Sequence, residues 1–87
     1  MDIKTQLEFL GLSERESRVY LSLLDLGPTT TSKLIRKTGI ASSKIYDVLE
    51  KLTHRGLVTH IIKNGKKQFH PESPEKLFDL LKEKEST

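Results

Sequence analysis

Residues 30–55, TTSKLIRKTGIASSKIYDVLEKLTHR, decide the fold of this 87-residue chain. Apolar side chains recur at helical spacing on both sides of a short break, Gly39-Ile40-Ala41. Two short helices joined by a tight turn that contains glycine are typical of a helix-turn-helix motif. The sequence therefore predicts this motif in the middle of the chain.

The two helices of the motif have predictable ends and inner faces. The first is expected to be capped by Thr30 and to end at Gly39, and the second is expected over Ser42 to Arg55. The side chains that face inward are Leu34, Ile35 and Thr38 in the first helix, and Ile45, Val48, Leu49 and Leu52 in the second. Neither helix can bury such a face alone, so both are expected to pack against a further helix.

That further helix lies before the motif. Ser13 and Glu16 have the spacing of a capping box, which predicts a helix that starts at Ser13 and is ended by Gly27 and Pro28. Its apolar stripe consists of Val19, Tyr20, Leu23 and Leu24. A shorter helical segment, Ile3 to Leu10, precedes it.

After the motif the pattern changes from helix to strand. Leu57 to Lys63 and Lys66 to His70 are predicted strands, and Asn64-Gly65 between them is the strongest two-residue hairpin signal. A last helix, from Pro74 to about Glu83, is expected to carry Leu77, Phe78, Leu80 and Leu81. The predicted fold class is mainly α (α+β), a winged helix-turn-helix with a two-stranded β-hairpin wing and a C-terminal helix.

Length and composition narrow the class of protein. Residues 1–87 are too few for two cores, which predicts a single domain, and without cysteine there is no disulfide or cysteine-based zinc site. The chain has no long apolar run and no signal peptide, so we expect a cytoplasmic, nucleoid-associated protein that contacts no membrane. With a two-residue turn, His60 and His70 point to opposite faces of the hairpin, which argues against a metal site. No pattern suggests catalysis or a cofactor, so we expect neither.

Positive charge is concentrated in the middle of the sequence. Between Pro28 and Lys67 there are nine Lys or Arg against Asp47 and Glu50, a net charge of +7, whereas the flanking residues sum to −4. Charge alone fits an ordinary solvated surface as well as a nucleic-acid-binding one. The placement of these side chains on the predicted elements favours DNA.

The second helix of the motif is the expected recognition helix, since such helices enter the major groove with their N-terminal residues nearest the base edges. Lysine can donate to guanine O6 and N7, and aspartate can accept from cytosine N4. The DNA contacts predicted on this helix are Ser42, Ser43, Lys44, Tyr46, Asp47 and Lys51. Glu50 is left out because it would face phosphates unless it pairs with His54 or a lysine.

Two further segments are expected to hold the phosphate backbone. The start of the first motif helix offers free N–H groups and the positive end of a helix dipole, which predicts anchors at Thr29, Thr30, Thr31 and Lys33. If Thr30 caps the helix, Thr29 and Thr31 are freer for this role. The wing tip offers Lys63, Asn64, Lys66 and Lys67. Lysines also protect exposed hairpin edges from aggregation, and this alternative stays open.

Several short strings occur together along the chain: Gly11-Leu12-Ser13, Val19-Tyr20, Leu23-Leu24, Leu26-Gly27-Pro28, Lys44-Ile45-Tyr46-Asp47-Val48-Leu49 and Gly56-Leu57-Val58. In this combination the chain resembles the DNA-binding domain of the TrmB family of archaeal transcription regulators. Ala41 stands where that family often has proline. Larger family members continue after the wing into a long helix and a sugar-sensing domain. These 87 residues contain no such small-molecule ligand domain, so none is carried over.

We therefore expect a sequence-specific transcription regulator that binds double-stranded DNA. A two-fold homodimer is expected, through the last helix or the Ile3 to Leu10 segment. The alternative is a winged-helix protein–protein interaction module of a transcription-related assembly. A nucleoid-type binder without sequence preference is a third interpretation, against which Asp47 and Glu50 on the presented helix argue.

Overall fold

The computed structural model describes residues 3–73 together with Glu75 and Asp79. Its elements in chain order are α1 Ile3–Phe9, α2 Glu14–Leu26, α3 Thr31–Thr38, α4 Ser42–His54, β1 Val58–Lys63 and β2 Lys66–Pro71. This order confirms the predicted winged helix-turn-helix, and α4 occupies the position of the expected recognition helix. The last predicted helix, Pro74 to Glu83 with Leu77, Phe78, Leu80 and Leu81, lies outside the described residues apart from Glu75 and Asp79.

The ends of the helices follow the predicted signals with one exception. Ser13 Oγ accepts from the N–H of Glu16 at 3.1 Å, and Glu16 Oε1 accepts from the N–H of Ser13 at 3.3 Å, which completes the capping box. Gly39 ends α3 in the left-handed conformation, with φ at 73°. Thr30 occupies the N-cap position of α3, but its side chain makes no capping hydrogen bond, so that part of the prediction is wrong.

The core draws side chains from all six elements and from the loops between them. It comprises Leu7, Leu12, Val19, Tyr20, Leu23, Leu34, Ile40, Ile45, Val48, Leu49, Leu52, Leu57, Val58 and Phe69. Two residues predicted to face inward, Leu24 and Ile35, are only partly buried and pack at its rim. The four buried side chains of α4 place the opposite face of that helix on the outside.

The hairpin has the predicted register and is attached to the start of α3. His60 pairs with Phe69, and the turn residues Asn64 and Gly65 have φ of 53° and 75°, as a type I′ turn requires. An isolated bridge joins Phe69 to Thr29, whose N–H donates to the Phe69 carbonyl at 3.0 Å and whose carbonyl accepts from Phe69 at 2.7 Å. The wing therefore leaves the domain beside the N-terminus of α3.

Polar contacts also fix α3 and α2 in place. Lys37 Nζ lies 2.7 Å from Asp25 Oδ2, and this hydrogen bond and the lysine charge lower the pKa of Asp25. The hydroxyl of the buried Tyr20 donates to the Glu72 carbonyl at 2.9 Å. Burial, followed by the charge of Glu72, raises the pKa of Tyr20.

Candidate nucleic-acid interface

The outer face of α4 carries every side chain predicted for the recognition helix. All six predicted residues are exposed: Ser42, Ser43, Lys44, Tyr46, Asp47 and Lys51. Ala41 at the N-cap has no side-chain oxygen, so the first N–H groups of α4 have no side-chain cap. The N-terminal half of the helix thus presents hydroxyl, ammonium, phenol and carboxylate groups to the outside.

Tyr46 connects the recognition helix to the start of α3. Its side chain is 55% exposed, and its hydroxyl lies 3.4 Å from Thr31 Oγ1. Both groups can donate or accept, so either can turn to a ligand oxygen. The predicted base-reading helix and one predicted backbone anchor are therefore neighbours.

A shallow groove brings the predicted anchors and the wing together. Its walls are formed by Thr30, Thr31, Ser32, Tyr46, Lys66, Lys67 and Phe69, and its volume is about 310 Å³. A second depression continues toward the wing tip between Thr30, Lys63, Asn64, Lys66, Lys67 and Gln68. The N-terminus of α3, the recognition helix and the wing lysines thus share one continuous surface.

Thr29 is not part of this surface, so its prediction as a phosphate anchor is wrong. The residue is only 4% exposed, and its N–H is already donated to Phe69 in the bridge that holds the wing. Both threonines therefore differ from expectation. Thr30, whose hydroxyl makes no capping bond, faces the groove, while Thr29 attaches the hairpin.

The positive charges of the central region divide into paired and unpaired groups. Three are engaged with carboxylates: Lys37 with Asp25, Lys51 with Asp47, and Arg55 with Glu16. Within residues 3–73, no ion pair involves Lys33, Arg36, Lys44, Lys63, Lys66 or Lys67. The surface built from α4, the start of α3 and the wing therefore keeps uncompensated positive charge.

A cleft between α4 and the hairpin was not anticipated from the sequence. Its lining comprises Tyr46, Leu49, Glu50, Thr53, His54, His60, Lys67 and Phe69, and its volume is about 280 Å³. The His60 and Phe69 rings are in contact across the strands, with a centroid distance of 5.7 Å and a tilt of 48° between their planes. The predicted hairpin register was the sequence signal for this cleft, because it pairs His60 with Phe69 and so places both side chains on the same face of the hairpin.

The described residues contain neither a candidate metal site nor a candidate membrane-spanning helix. No three histidine or acidic side chains among them converge in a way that suits a metal ion. None of their helices has the length and apolar character needed to cross a membrane.

Two solved structures share this fold. A protein of the thermoacidophilic archaeon Sulfolobus tokodaii, ST1889, superposes with a TM-score of 0.76 at 22% identity, over 94% of this chain and 90% of that one. A MarR family protein from Bacillus stearothermophilus superposes with a TM-score of 0.72 at 15% identity, over 94% of this chain and 60% of that one. At such identities the likeness concerns architecture alone.

Sequence relatives occur in an archaeon and in a bacterium. The HTH-type sugar sensing transcriptional regulator TrmBL1 of Pyrococcus furiosus is 34% identical over 82 residues, which are 94% of this chain and 24% of that protein. The uncharacterized protein YrhO of Bacillus subtilis is 35% identical over 94 aligned positions, which cover 88% of this chain and 34% of that protein. The chain thus spans between a quarter and about a third of the length of these relatives.

The family follows from the match along the chain. The family model described as sugar-specific transcriptional regulator TrmB matches residues 7–75, which include α2, the helix-turn-helix and both strands of the wing. This is the same stretch in which the sequence motifs occur. The chain therefore belongs to the TrmB family of transcriptional regulators.

Proposed function

We propose that this chain binds double-stranded DNA in a sequence-specific manner, with α4 in the major groove and the wing on the phosphate backbone. One observation carries the proposal. The exposed face of α4 adjoins a groove shared by the N-terminus of α3 and the wing lysines Lys66 and Lys67. A helix flanked by two phosphate-binding elements is the arrangement that a helix-turn-helix protein uses to hold one helix in a groove of DNA.

Base contacts are assigned to the first half of α4. Ser43, Lys44 and Asp47 lie on its exposed side, and recognition helices read base edges with their N-terminal residues. Ser42 and Tyr46 are assigned to a base or a neighbouring phosphate. Lys51, one turn further along, is assigned to the same groove.

Phosphate contacts are assigned to α3 and the wing. The N–H groups at the start of α3, with the hydroxyls of Thr30 and Thr31, can hold one phosphate oxygen, and Lys33 lies exposed on the same helix. Lys63, Lys66 and Lys67 reach a second stretch of backbone around the Asn64-Gly65 turn, where the Asn64 side chain can add a hydrogen bond. Thr29 is omitted because it is buried.

A homodimer is part of the proposal. Two copies related by a two-fold axis would read half-sites about one helical turn of DNA apart. Leu7 is buried in the core and Ile3 and Leu10 pack against it, so Phe9, which is 50% exposed, is the large apolar side chain that α1 presents on the outside. The final segment, most of which lies outside the described residues, is the other candidate contact. Sedimentation at micromolar concentration is expected to give a dimer, and a monomer would rule this part out.

The test of the function is selection of bound duplexes from a random pool, followed by titration of the selected site. If about three to five phosphates are contacted, log K is expected to fall against log salt with a slope of roughly −3 to −5 per subunit. No binding at low salt would favour the protein-interaction module. Equal competition by random duplex would favour a binder without sequence preference. A selected site with a steep salt slope supports the regulator.

A further inference from the structure

The ion pair between Asp47 and Lys51 stands in the middle of the proposed DNA-reading face. Lys51 Nζ lies 3.3 Å from Asp47 Oδ2, and the two side chains are 60% and 62% exposed. They are four residues apart, so they are neighbours on the helix surface. Helical side chains lean toward the N-terminus of their helix, which brings the Lys51 ammonium back toward the level of Asp47.

The pair offers a hydrogen-bond acceptor beside a hydrogen-bond donor. Within the described residues Asp47 Oδ1 has no partner, and the Lys51 ammonium retains two of its three N–H groups. Because the two charges cancel, the carboxylate can approach the DNA backbone without the repulsion that an isolated aspartate would meet. The pair is thus a neutral group that offers one hydrogen-bond acceptor and one donor side by side.

The major-groove edge of a C·G base pair is complementary to such a group. Cytosine presents the N4 amino donor, and the guanine paired with it presents O6 and N7 as acceptors. The N4 and O6 atoms are hydrogen-bonded to each other, so they lie about 2.9 Å apart, close to the spacing of the ion pair. Asp47 can accept from N4 while Lys51 donates to O6 and N7.

An A·T pair fits less well. Its N6 donor and O4 acceptor are also hydrogen-bonded to each other, but the adenine N7 acceptor beside N6 would repel the carboxylate. Thymine O4 is a single acceptor next to a methyl group, whereas guanine offers the lysine both O6 and N7. If the base pair is reversed to G·C, the Asp47 carboxylate faces guanine O6 and N7, which are both acceptors. The orientation of the base pair is therefore read as well as its identity.

We propose that the Asp47–Lys51 ion pair reads one C·G base pair in each half-site, an inference that rests on the proposed DNA-binding function. Neither residue alone would do so as well, since the lysine screens the charge of the aspartate and the aspartate positions the lysine. A well-made contact of this kind discriminates against the wrong base by about 5- to 150-fold.

The test compares the sites selected from a random duplex pool by the original protein and by three variants. Asp47→Ala is expected to lose the preference for C·G at one position per half-site and to keep the others. Asp47→Asn is expected to move that preference to A·T, since an asparagine amide pairs with adenine N6 and N7. Glu50→Gln is the matched control, because it removes one negative charge from the same exposed helix without touching the pair.

The outcomes separate this inference from the function on which it rests. If the original protein selects no site at all, the proposed function fails and this inference fails with it. If a site is selected and Asp47→Ala retains the same preference at every position, the inference alone is overturned. A weaker but equally specific site in Asp47→Ala would likewise count against it.

A second measurement needs only the original protein and therefore does not depend on the folding of a variant. Replacing the guanine of that base pair by 7-deazaguanine removes N7, and affinity is expected to fall by about two- to tenfold. Replacing it by inosine removes the N2 amino group, which lies in the minor groove and makes one pairing hydrogen bond, but keeps O6 and N7, so affinity should stay about the same. Equal affinity for the 7-deazaguanine and guanine duplexes would overturn the assignment to Lys51.

Discussion

Arg55 Nε donates to Glu16 Oε2 at 3.0 Å and so joins the end of the recognition helix to the start of α2. The Glu16 side chain is 7% exposed, and that of Arg55 is 36% exposed. The same guanidinium donates to the carbonyls of Leu10 and Gly11 at 3.3 and 3.2 Å. One side chain thus holds α4 against the junction of α1 and α2, away from the proposed DNA surface.

Replacing Arg55 by methionine is expected to destabilise the fold. The change leaves Oε2 of the buried Glu16 carboxylate without its partner, while Oε1 keeps the N–H of Ser13. The loss costs about 1 to 3 kcal/mol, toward the lower end because Arg55 is partly solvated. Urea unfolding of the variant measures this cost. Arg15→Met on the exposed side of α2 is the matched control and should change stability by less than about 0.5 kcal/mol. Equal stability of the two variants would contradict the structural role of Arg55.

The two tyrosines are expected to separate stability from DNA binding. Tyr46→Phe removes an exposed hydroxyl on α4 and should weaken DNA affinity about two- to tenfold with little change in stability. Tyr20→Phe removes the donor to the Glu72 carbonyl and should cost about 1 kcal/mol of stability while DNA affinity of the folded protein stays the same. Thermal unfolding and fluorescence anisotropy measure both variants. The reverse pattern would contradict the positions assigned to the two side chains.

Alkaline pH is expected to destabilise the protein through Tyr20. Burial raises the pKa of Tyr20, so the folded chain holds the phenolic proton more tightly than the unfolded chain does. Its contribution to stability is therefore complete below about pH 10 and is lost as the pH rises through the folded pKa. Unfolding free energies of the original protein and of Tyr20→Phe above that pH measure the difference. Parallel curves would show that Tyr20 does not contribute.

The wing lysines are expected to set much of the salt dependence. Changing Lys63, Lys66 and Lys67 together to glutamine should make the slope of log K against log salt shallower by about 3 per subunit. Lys4→Gln, Lys37→Gln and their combination are controls, since Lys4 lies on α1 and Lys37 pairs with Asp25. If the salt slope of the triple wing variant is unchanged, these lysines do not contact phosphates and instead protect the exposed edge of the hairpin from aggregation.

Most of the fold could be predicted because its signals are local. Apolar periodicity located α2, α3 and α4, glycines and a capping box located their ends, and Asn64-Gly65 fixed the hairpin register. Each of these signals acts within a few residues of sequence. Local interactions of this kind can be predicted from the type and spacing of neighbouring residues.

What sequence reasoning missed depends on contacts between distant segments. Thr29 was expected on the surface, but its bridge to Phe69 buries it, and nothing local announces a pairing across 40 positions. From the sequence, Arg55 was considered only as part of the central positive charge. Its structural role depends on the packing of the end of α4 against α2, which brings Arg55 to Glu16. The Asp47–Lys51 pair did have a local signal, namely the spacing of four residues on a helix.

The proposed DNA surface can be mapped by titrating the isotope-labelled protein with its selected duplex and recording the chemical shifts of the backbone amides by NMR. We expect the shift changes to concentrate at the start of α3, on the exposed face of α4 around Lys44 and Tyr46, and at Lys63 to Lys67 of the wing. Amides of α1 and of the buried side of α2 should change little. Shift changes confined to α1 and α2, with α4 and the wing unaffected, would contradict the proposed surface.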